Sequence, residues 1–324
     1  MLAKHSMDTI MAGLAILGFA VECKGEPNGV YTSLGIVIDT TRADSERLLE
    51  VRNSATREKK IRFEINDILA SNNLPPGRAG KLRGTLQFSI AQHFGRCGKV
   101  GMRSLSDRQF QKGGSFGLTK CLRDVLIWYL RYFDLARPRT IPIDPPIDRP
   151  TVLLTDGWQS DQGPNMQLGC GAVLLSPGRR PEYFGFLAPQ ELVEHWRTAC
   201  SKKTVINQAE LWPALVARTT WPHLLRGKRL LHFIDNDGAR DALIRGYSPV
   251  AESNMMVGAT WLADTALGTF VWYTRVPSEA NLSDGPSRLD FSGVEAMGYL
   301  KVEAVLPKWQ PTCDELPDLT GLVV

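Results

Sequence analysis

Four acidic residues in the second half of the sequence lie where predicted strands and helices end or begin. They are Asp156 after the apolar run VLLT, Glu210 within INQAELWPAL, Asp235 after LLHFI, and Asp284 within NLSDGPSR. Carboxylates that follow buried strands are poorly solvated, so they repel one another and raise one another's pKa unless a cation lies between them. Carboxylate oxygens are the ligands that Mg²⁺ prefers in proteins. The pattern therefore predicts a metal site.

Each acid alone has a simpler structural explanation. Asp156 precedes a glycine and suits a turn, whereas Glu210 near the start of a helix suits the helix dipole. Asp235 suits the N-cap of the helix that follows it, and Asp237 is an alternative ligand two residues further on. The metal hypothesis rests on all four acids falling at element ends in one order, and we favour Asp235 because the strand gives way to a loop there.

The elements that must position these acids follow a proline-rich linker. Residues Arg137–Pro150 contain five prolines, which favour extended structure and exclude a helix. Beyond the linker the apolar patterns predict a fold of class α/β, a mixed five-stranded sheet with flanking helices. The predicted strands are Thr151–Thr155, Gly169–Leu175, Glu182–Leu187, Arg229–Ile234 and Thr269–Arg275, and the predicted helices are Asn207–Thr219, Gly238–Arg245, Asn254–Leu267 and one from Glu279 onward.

The first half is predicted to be mainly helical. We expect a helix passing into a strand over Ile10–Val21, a strand broken by a glycine over Tyr31–Asp39, a turn at Leu74–Gly77, and helices over Ser45–Leu69, Lys81–Phe94 and Leu118–Phe133. No apolar run reaches the length of a membrane span, so we expect no membrane partner.

The charge is unevenly distributed between the two halves. Residues 1–150 hold 23 Lys and Arg against 15 Asp and Glu, whereas residues 151–324 hold 15 against 19. A basic half can neutralise the phosphates of a nucleic acid, although a solvated surface is an equal alternative. The densest basic run is Arg78, Lys81, Arg83, Arg96, Lys99 and Arg103.

The cysteines exclude two classes of small domain. The six cysteines are scattered and form no CxxC pair, which argues against a zinc ribbon and against a disulfide scaffold. This usage is typical of a reducing compartment, so we expect an intracellular protein of the cytoplasm or nucleus.

The second half resembles the ribonuclease H type 1 family, in the form carried by retroelement polyproteins. The similar pieces are LLTDGW at 153–158, GCGAVLL at 169–175, NQAEL at 207–211, LHFIDND at 231–237 and RVPSEANLSDGPSR at 275–288. The resemblance implies the ribonuclease H-like fold and hydrolysis of the RNA strand of an RNA·DNA hybrid. It also implies two Mg²⁺ ions, or Mn²⁺ in their place, and it maps the family's metal-binding carboxylates onto Asp156, Glu210, Asp235 and Asp284.

Three pieces of the first half resemble the end of the palm and the thumb of a retroelement reverse transcriptase. They are LGFAVECK at 17–24, YTSLGIVID at 31–39 and KLRGTLQFSIAQHFGRCG at 81–98. The implied division is a palm end and thumb-like region over 1–136, a linker over 137–150, a ribonuclease H-like domain over 151–290 and a tail without motifs over 291–324. A Tyr-x-Asp-Asp-type motif is absent, so the resemblance implies a polyprotein fragment that does not polymerise DNA, and Asp39 is interpreted as structural.

The resemblance has one departure and leaves two alternatives. Many ribonucleases H carry a histidine in the loop before the last aspartate, whereas this loop reads VPSEAN, and His232 is predicted to be a sheet residue. One alternative is a catalytically inactive relic that only binds nucleic acid. The other is an integrase or transposase, disfavoured because the last carboxylate of those enzymes is usually a Glu on a helix. Oligomeric state is left open.

Selectivity for RNA would come from polar side chains that contact 2′-hydroxyl groups. The predicted candidates are the polar residues near the four acids in sequence: Gln159, Ser160, Asn207, Gln208 and Asn236. Arg78, Lys81 and Arg83 of the basic half are predicted to contact the phosphates of the duplex.

Overall fold

The protein is described from a computed structural model, which covers residues 8–9, 11–13, 15–17, 29–91, 97–144, 149–160, 166–199 and 205–307. The chain divides into two compact units, Met1–Ser54 with Thr140–Pro146, and Ala55–Arg139 with Ile147–Val324. Most of the helix and strand predicted over Ile10–Val21 lies outside the described residues. None of the described helices is both long and apolar enough to span a bilayer.

The first unit contains a four-stranded sheet. Its strands lie in the order β1 (Val30–Ser33), β2 (Ile36–Asp39), β3 (Leu48–Asn53) and β4 (Arg139–Pro142). The predicted break in Tyr31–Asp39 is confirmed, because Leu34 and Gly35 form a turn with positive φ angles of 49° and 78°. The helix predicted from Ser45 is wrong as far as Asn53, since this segment pairs antiparallel with β2 instead. Within the proline-rich segment, Arg139–Pro142 is extended as predicted and forms β4, whereas residues 145–148 lie outside the described residues.

The second unit begins with four helices. Pro76 occupies the first turn of one of them, where its missing N–H costs no hydrogen bond. The helices predicted around Lys81–Phe94 and Leu118–Phe133 are confirmed with shifted ends, whereas a third short helix was not predicted. The four are α1 (Ala55–Ser71), α2 (Pro76–Ile90), α3 (Met102–Gln109) and α4 (Lys120–Leu135).

The second unit also contains a mixed sheet in the order β10-β7-β6-β5-β8-β9. Strands β5, β6 and β7 form the predicted antiparallel meander, and β8 and β9 are parallel to β5. The prediction of five strands is wrong by one, because the two-residue strand β10 pairs with β7 and is too short to show a periodic pattern. The strands are β5 (Thr151–Gln159), β6 (Leu168–Leu175), β7 (Glu182–Leu187), β8 (Arg229–Ile234), β9 (Phe270–Arg275) and β10 (Leu300–Lys301).

Helices pack against this sheet. Two of them, α6 (Ile206–Thr220) and α9 (Ala251–Leu267), are buried along most of their length, so their sequences are apolar throughout rather than on one face. They and α8 confirm three of the four predicted helices, whereas α5 was not predicted as an element. The helix predicted from Glu279 onward is wrong, because Ser278–Ala280 form a single 3₁₀ turn and a separate short helix begins only at Asp284. The helices are α5 (Gln190–Ala199), α6 (Ile206–Thr220), α7 (Pro222–Leu225), α8 (Asp237–Arg245), α9 (Ala251–Leu267), α10 (Asp284–Ser287) and α11 (Ser292–Ala296).

A fully buried polar network connects α6 and α9 with three strands. Arg218 donates from Nε to Asp264 at 2.9 Å and from Nη1 to Nδ1 of His232 at 3.2 Å. Because Nδ1 of His232 accepts, Nε2 carries the proton and donates to the Thr155 hydroxyl at 2.9 Å. Burial and the Arg218 charge lower the pKa of His232 well below its usual value, so this histidine is a neutral sheet residue, as predicted. The network fixes Thr155, the residue before Asp156.

Removing one charge from this network should be costly. We expect Asp264→Asn to lower the free energy of unfolding by about 3–5 kcal/mol, because it leaves the Arg218 guanidinium buried without a counter-charge. Urea denaturation measures this change. Asp241→Asn, in an exposed pair with Arg240, is the matched control and should cost less than about 1 kcal/mol. Equal losses in the two variants would contradict the importance of the buried pair.

Candidate metal centre

Asp156 lies at the point where β5 loses one of its two neighbours. Pairing of β5 with β8 ends at Thr155, opposite Ile234, whereas pairing with β6 continues as far as Gln159. The prediction that Asp156 ends its strand is therefore wrong, because β6 extends the strand by three residues. Asp156 is therefore the first residue of β5 that has no partner in β8, and it lies beside an open edge of the sheet.

Glu210 reaches this open edge from helix α6. The helix packs so closely on β5 that a Cβ atom on Gly157 would lie 2.4 Å from the carbonyl oxygen of Ala209. The Gly157 N–H donates to Oε2 of Glu210 at 3.2 Å. Glu210 lies beyond the first turn of α6 rather than within it, since the helix begins at Ile206. The glycine after Asp156 therefore serves helix packing rather than a turn.

Asp235 completes a cluster of three carboxylates. It follows the last residue of β8, and one oxygen from each of Asp156, Glu210 and Asp235 lies within 4.8 Å of the other two. Oδ1 of Asp235 is buried and accepts no hydrogen bond within the described part of the chain. Asp237, the alternative ligand, is exposed and pairs with Arg240 at 2.8 Å. The structure thus brings Asp235, and not Asp237, to the other two acids.

The cluster is electrostatically unfavourable in the absence of a cation. The pKa of Asp156 is raised to about 7. Burial is the largest cause, and the charges of Asp235 and Asp284 add to it, whereas the hydrogen bond from the Ser287 hydroxyl acts in the opposite direction. Burial, followed by the charges of Asp156 and Asp235, raises the pKa of Glu210 to about 9. Three acceptor groups with one unpaired buried oxygen form a set of hard ligands, which fits a divalent ion such as Mg²⁺.

Asp284 lies beside this cluster but outside the group of three. It is the first residue of α10, and its half-exposed carboxylate pairs with Nη2 of Arg288 at 3.0 Å. Its charge nevertheless contributes to the raised pKa of Asp156, so the two acids are neighbours. The same short helix supplies Ser287, whose hydroxyl donates to Oδ2 of Asp156.

Three glycines of the meander allow α10 to lie directly on the sheet. A Cβ atom on Gly169 would lie 1.9 Å from the Ser287 carbonyl oxygen, and one on Gly171 would lie 2.3 Å from the Ser287 nitrogen. A Cβ atom on Gly185 would lie 2.3 Å from the carbonyl oxygen of Pro286. Ser287 was missed in the sequence, although glycines two apart within a strand signal a close backbone approach.

The predicted polar contacts to nucleic acid have different surroundings. Gln159 accepts from the Val205 N–H at 3.2 Å, and Ser160 accepts from the Gln167 N–H at 2.8 Å. Gln208 is buried and donates to Ser253 at 3.0 Å, so it faces the interior. Two candidates lie near the cluster at the surface: Asn207, which is exposed, and Asn236, which caps α8 and hydrogen-bonds Glu210.

The predicted basic residues also differ in their partners. Arg78 donates to Glu64 and Asp67, both at 2.6 Å, so its charge is already neutralised. Lys81 is exposed, and Arg83 is half-buried and donates to the neutral hydroxyl of Ser106 at 3.1 Å. Arg96 of the same run lies outside the described residues.

Comparison with known proteins gives only partial similarity. No protein-family model and no curated protein match the chain. The crystal structure of RNase H1 from the halophilic archaeon Halobacterium salinarum NRC-1 is 15% identical over 44% of this chain and 98% of that chain, with a TM-score of 0.31. LC9-RNase H1, a type 1 RNase H with the type 2 active-site motif, is 18% identical over 48% and 75%, with a TM-score of 0.30.

Adding a methyl group at Gly171 should displace α10. We expect Gly171→Ala to lower the free energy of unfolding by about 1–3 kcal/mol or more, because the added Cβ meets backbone atoms that cannot rotate away. Gly84→Ala in α2 is the matched control, since its Cβ meets nothing within 4 Å, and it should be neutral or stabilising. Chemical denaturation compares the two, and an unaffected Gly171→Ala variant would contradict the close contact.

The charge repulsion predicts a stabilising substitution. In EDTA at about pH 8.5 we expect Asp156→Asn to raise the melting temperature by at least about 5 °C, because wild type must hold Asp156 ionised above a pKa of about 7. A raised pKa gives stability that is present below the unfolded value near 4 and lost as the pH rises through 7. The advantage of the variant should therefore shrink towards pH 5. Calorimetric scans at both pH values check this, and a destabilised variant at pH 8.5 would contradict it.

Proposed function

We propose that this chain is a divalent-metal-dependent nuclease of ribonuclease H type, which hydrolyses the RNA strand of an RNA·DNA hybrid. One observation supports the proposal most directly. Three carboxylates from a strand, a helix and a loop converge within 4.8 Å where β8 ends, with a buried oxygen that lacks a hydrogen-bond donor among the described residues. Buried carboxylates that repel one another destabilise the fold, and such clusters are typical of sites that bind cations.

The residues have distinct roles in this proposal. Asp156, Glu210 and Asp235 would hold Mg²⁺ or Mn²⁺, and Asp284, which now pairs with Arg288, would be the fourth ligand of a two-ion set. Bound ions of this kind stabilise the charge of a phosphodiester undergoing hydrolysis and lower the pKa of bound water. Ser287 orients the Asp156 carboxylate, and the Gly157 N–H orients that of Glu210.

The loop before Asp284 contains no imidazole. Residues 276–281 read VPSEAN, so no histidine of this loop can carry a proton to or from the leaving group. We therefore expect slow turnover relative to enzymes that have one.

The wider assignment is also part of the proposal. Asn207 and Asn236 are the polar residues that we propose to contact the RNA strand, since Asn207 is exposed three residues before Glu210 on α6 and the partly exposed Asn236 hydrogen-bonds Glu210. We propose that residues 1–136 correspond to a palm end and thumb-like region of a retroelement reverse transcriptase, followed by a linker over 137–150, the nuclease over 151–290 and a tail over 291–324. The helices α1 to α4 would serve as the thumb-like part.

Cleavage of a labelled hybrid tests the proposal. With Mg²⁺ we expect the purified chain to cut only the RNA strand, with no cleavage in EDTA, and we expect Asp156→Asn to reduce the rate roughly 10²-fold or more. Asp237→Asn is the matched control, because it makes the same chemical change at an exposed acid outside the cluster. It should leave the rate within about threefold of wild type.

Two outcomes would contradict the nuclease assignment. If the folded protein binds the hybrid in a salt-dependent manner without cutting it, the chain is the inactive relic that only binds nucleic acid. If Asp156→Asn and Asp237→Asn lose activity equally, the cluster of three is not the catalytic centre. Duplex DNA as a second substrate distinguishes a ribonuclease H from a nuclease of other selectivity.

A further inference from the structure

A second site lies within the same compact unit as the carboxylate cluster. It is an open pocket of about 500 Å³ between α2, the start of α3 and the end of α8, here called the basic pocket. Four of its lining residues carry positive charge, and no carboxylate lines it among the described residues. The residues that line it are Arg83, Gln87, Ile90, Ala91, Lys99, Met102, Arg103, Arg245 and Tyr247.

Arg83 is the residue that most needs a ligand. Its only described acceptor is the neutral Ser106 hydroxyl, and its Nε is buried with no hydrogen-bond partner in the described part of the chain. An unpaired buried donor is costly, and more so on a charged group. Arg78, five residues earlier on the same helix, shows the alternative solution, since two carboxylates neutralise it. An anion in the basic pocket, which Arg83 lines, would supply the missing counter-charge.

The rest of the lining indicates which anion fits. Lys99 is exposed at the mouth, whereas Arg103 and Arg245 are held by Asp107 and Asp241 on the outer surface. Ile90, Met102 and Tyr247 add apolar and aromatic surface between these charges. Guanidinium groups bind phosphate through paired N–H donors, and apolar surface suits the sugar that carries it. A phosphodiester of a nucleic-acid backbone matches both halves of the lining.

Helix α8 relates the basic pocket to the carboxylate cluster. The helix begins at Asp237, two residues after Asp235, and its last residue Arg245 lines the pocket. Nine residues of helix advance about 12 Å, which is roughly three to four nucleotide steps at about 3.4 Å each. We propose that the basic pocket binds a backbone phosphate of the nucleic acid a few nucleotides away from the bond at the carboxylate cluster. This rests on the proposed function only in its choice of substrate, because binding needs no cleavage.

Binding of a fluorescent RNA·DNA hybrid by the full chain, measured by anisotropy in EDTA, tests the basic pocket without any cleavage. We expect Arg83→Gln to weaken binding about tenfold and to reduce the slope of log K against log salt by about 1, the signature of one lost phosphate contact. Lys99→Gln should act in the same direction, which keeps the test decisive if Arg83→Gln fails to fold. Lys228→Gln, a charge change at an exposed position before β8, at the opposite end of that strand from Asp235, is the matched control and should change Kd less than twofold.

Three results would overturn the assignment. Binding could be unchanged in both pocket variants, or Lys228→Gln could weaken it as much as Arg83→Gln, which would indicate a diffuse basic surface. Alternatively, inorganic phosphate or AMP at about 5 mM could raise the melting temperature of wild type but not of Arg83→Gln while both bind the hybrid equally, which would make the pocket a site for a free phosphate compound. If wild type does not cleave the hybrid but the variants show the expected binding pattern, the nuclease assignment is refuted and the assignment of the basic pocket stands.

Discussion

The early end of β8 is the constraint on which the candidate centre depends. Because β5 continues along β6 after its pairing with β8 has stopped, the sheet has an open edge next to Asp156. Glu210 and Asp235 reach the same edge, and burial there holds the pKa of both Asp156 and Glu210 far above their ordinary values. Two sets of contacts hold Asp156 in this position. The Arg218 network anchors the preceding residue, Thr155, and α10 places the Ser287 hydroxyl against the Asp156 carboxylate.

The second unit was more predictable than the first. Five of its six strands have six to nine residues each, so the apolar patterns indicated these five and their meander, whereas β10 has two residues and leaves no pattern. In the first half, Leu48–Asn53 was predicted as part of a helix because local composition does not reveal its pairing with β2. Long-range pairing overrides local propensity, and one sequence does not show which segments will meet.

The acids of the candidate site were predicted from the sequence, whereas the residues that hold them in place were not. Acid positions after apolar runs indicated Asp156 and Asp235, since an apolar run that stops at an acid can be read locally. The true end of β5 at Gln159 depends on its pairing with β6 and was not predicted. Ser287 and the glycines that admit α10 depend on contacts across more than 100 residues, and Gln208 could not be separated from a surface residue by type. The sequence also did not show which basic residues of the run have acidic partners: Arg78 is paired with acids, whereas Arg83 is not.

The most direct measurement is a crystal structure grown with Mn²⁺, with anomalous scattering recorded at the manganese absorption edge. The proposed centre predicts anomalous peaks in contact with the carboxylates of Asp156, Glu210 and Asp235, with the unpaired oxygen of Asp235 now bound to an ion. A well-ordered centre with no anomalous peak at these carboxylates at millimolar Mn²⁺ would contradict it, and would mean that the cluster is held together by protons instead.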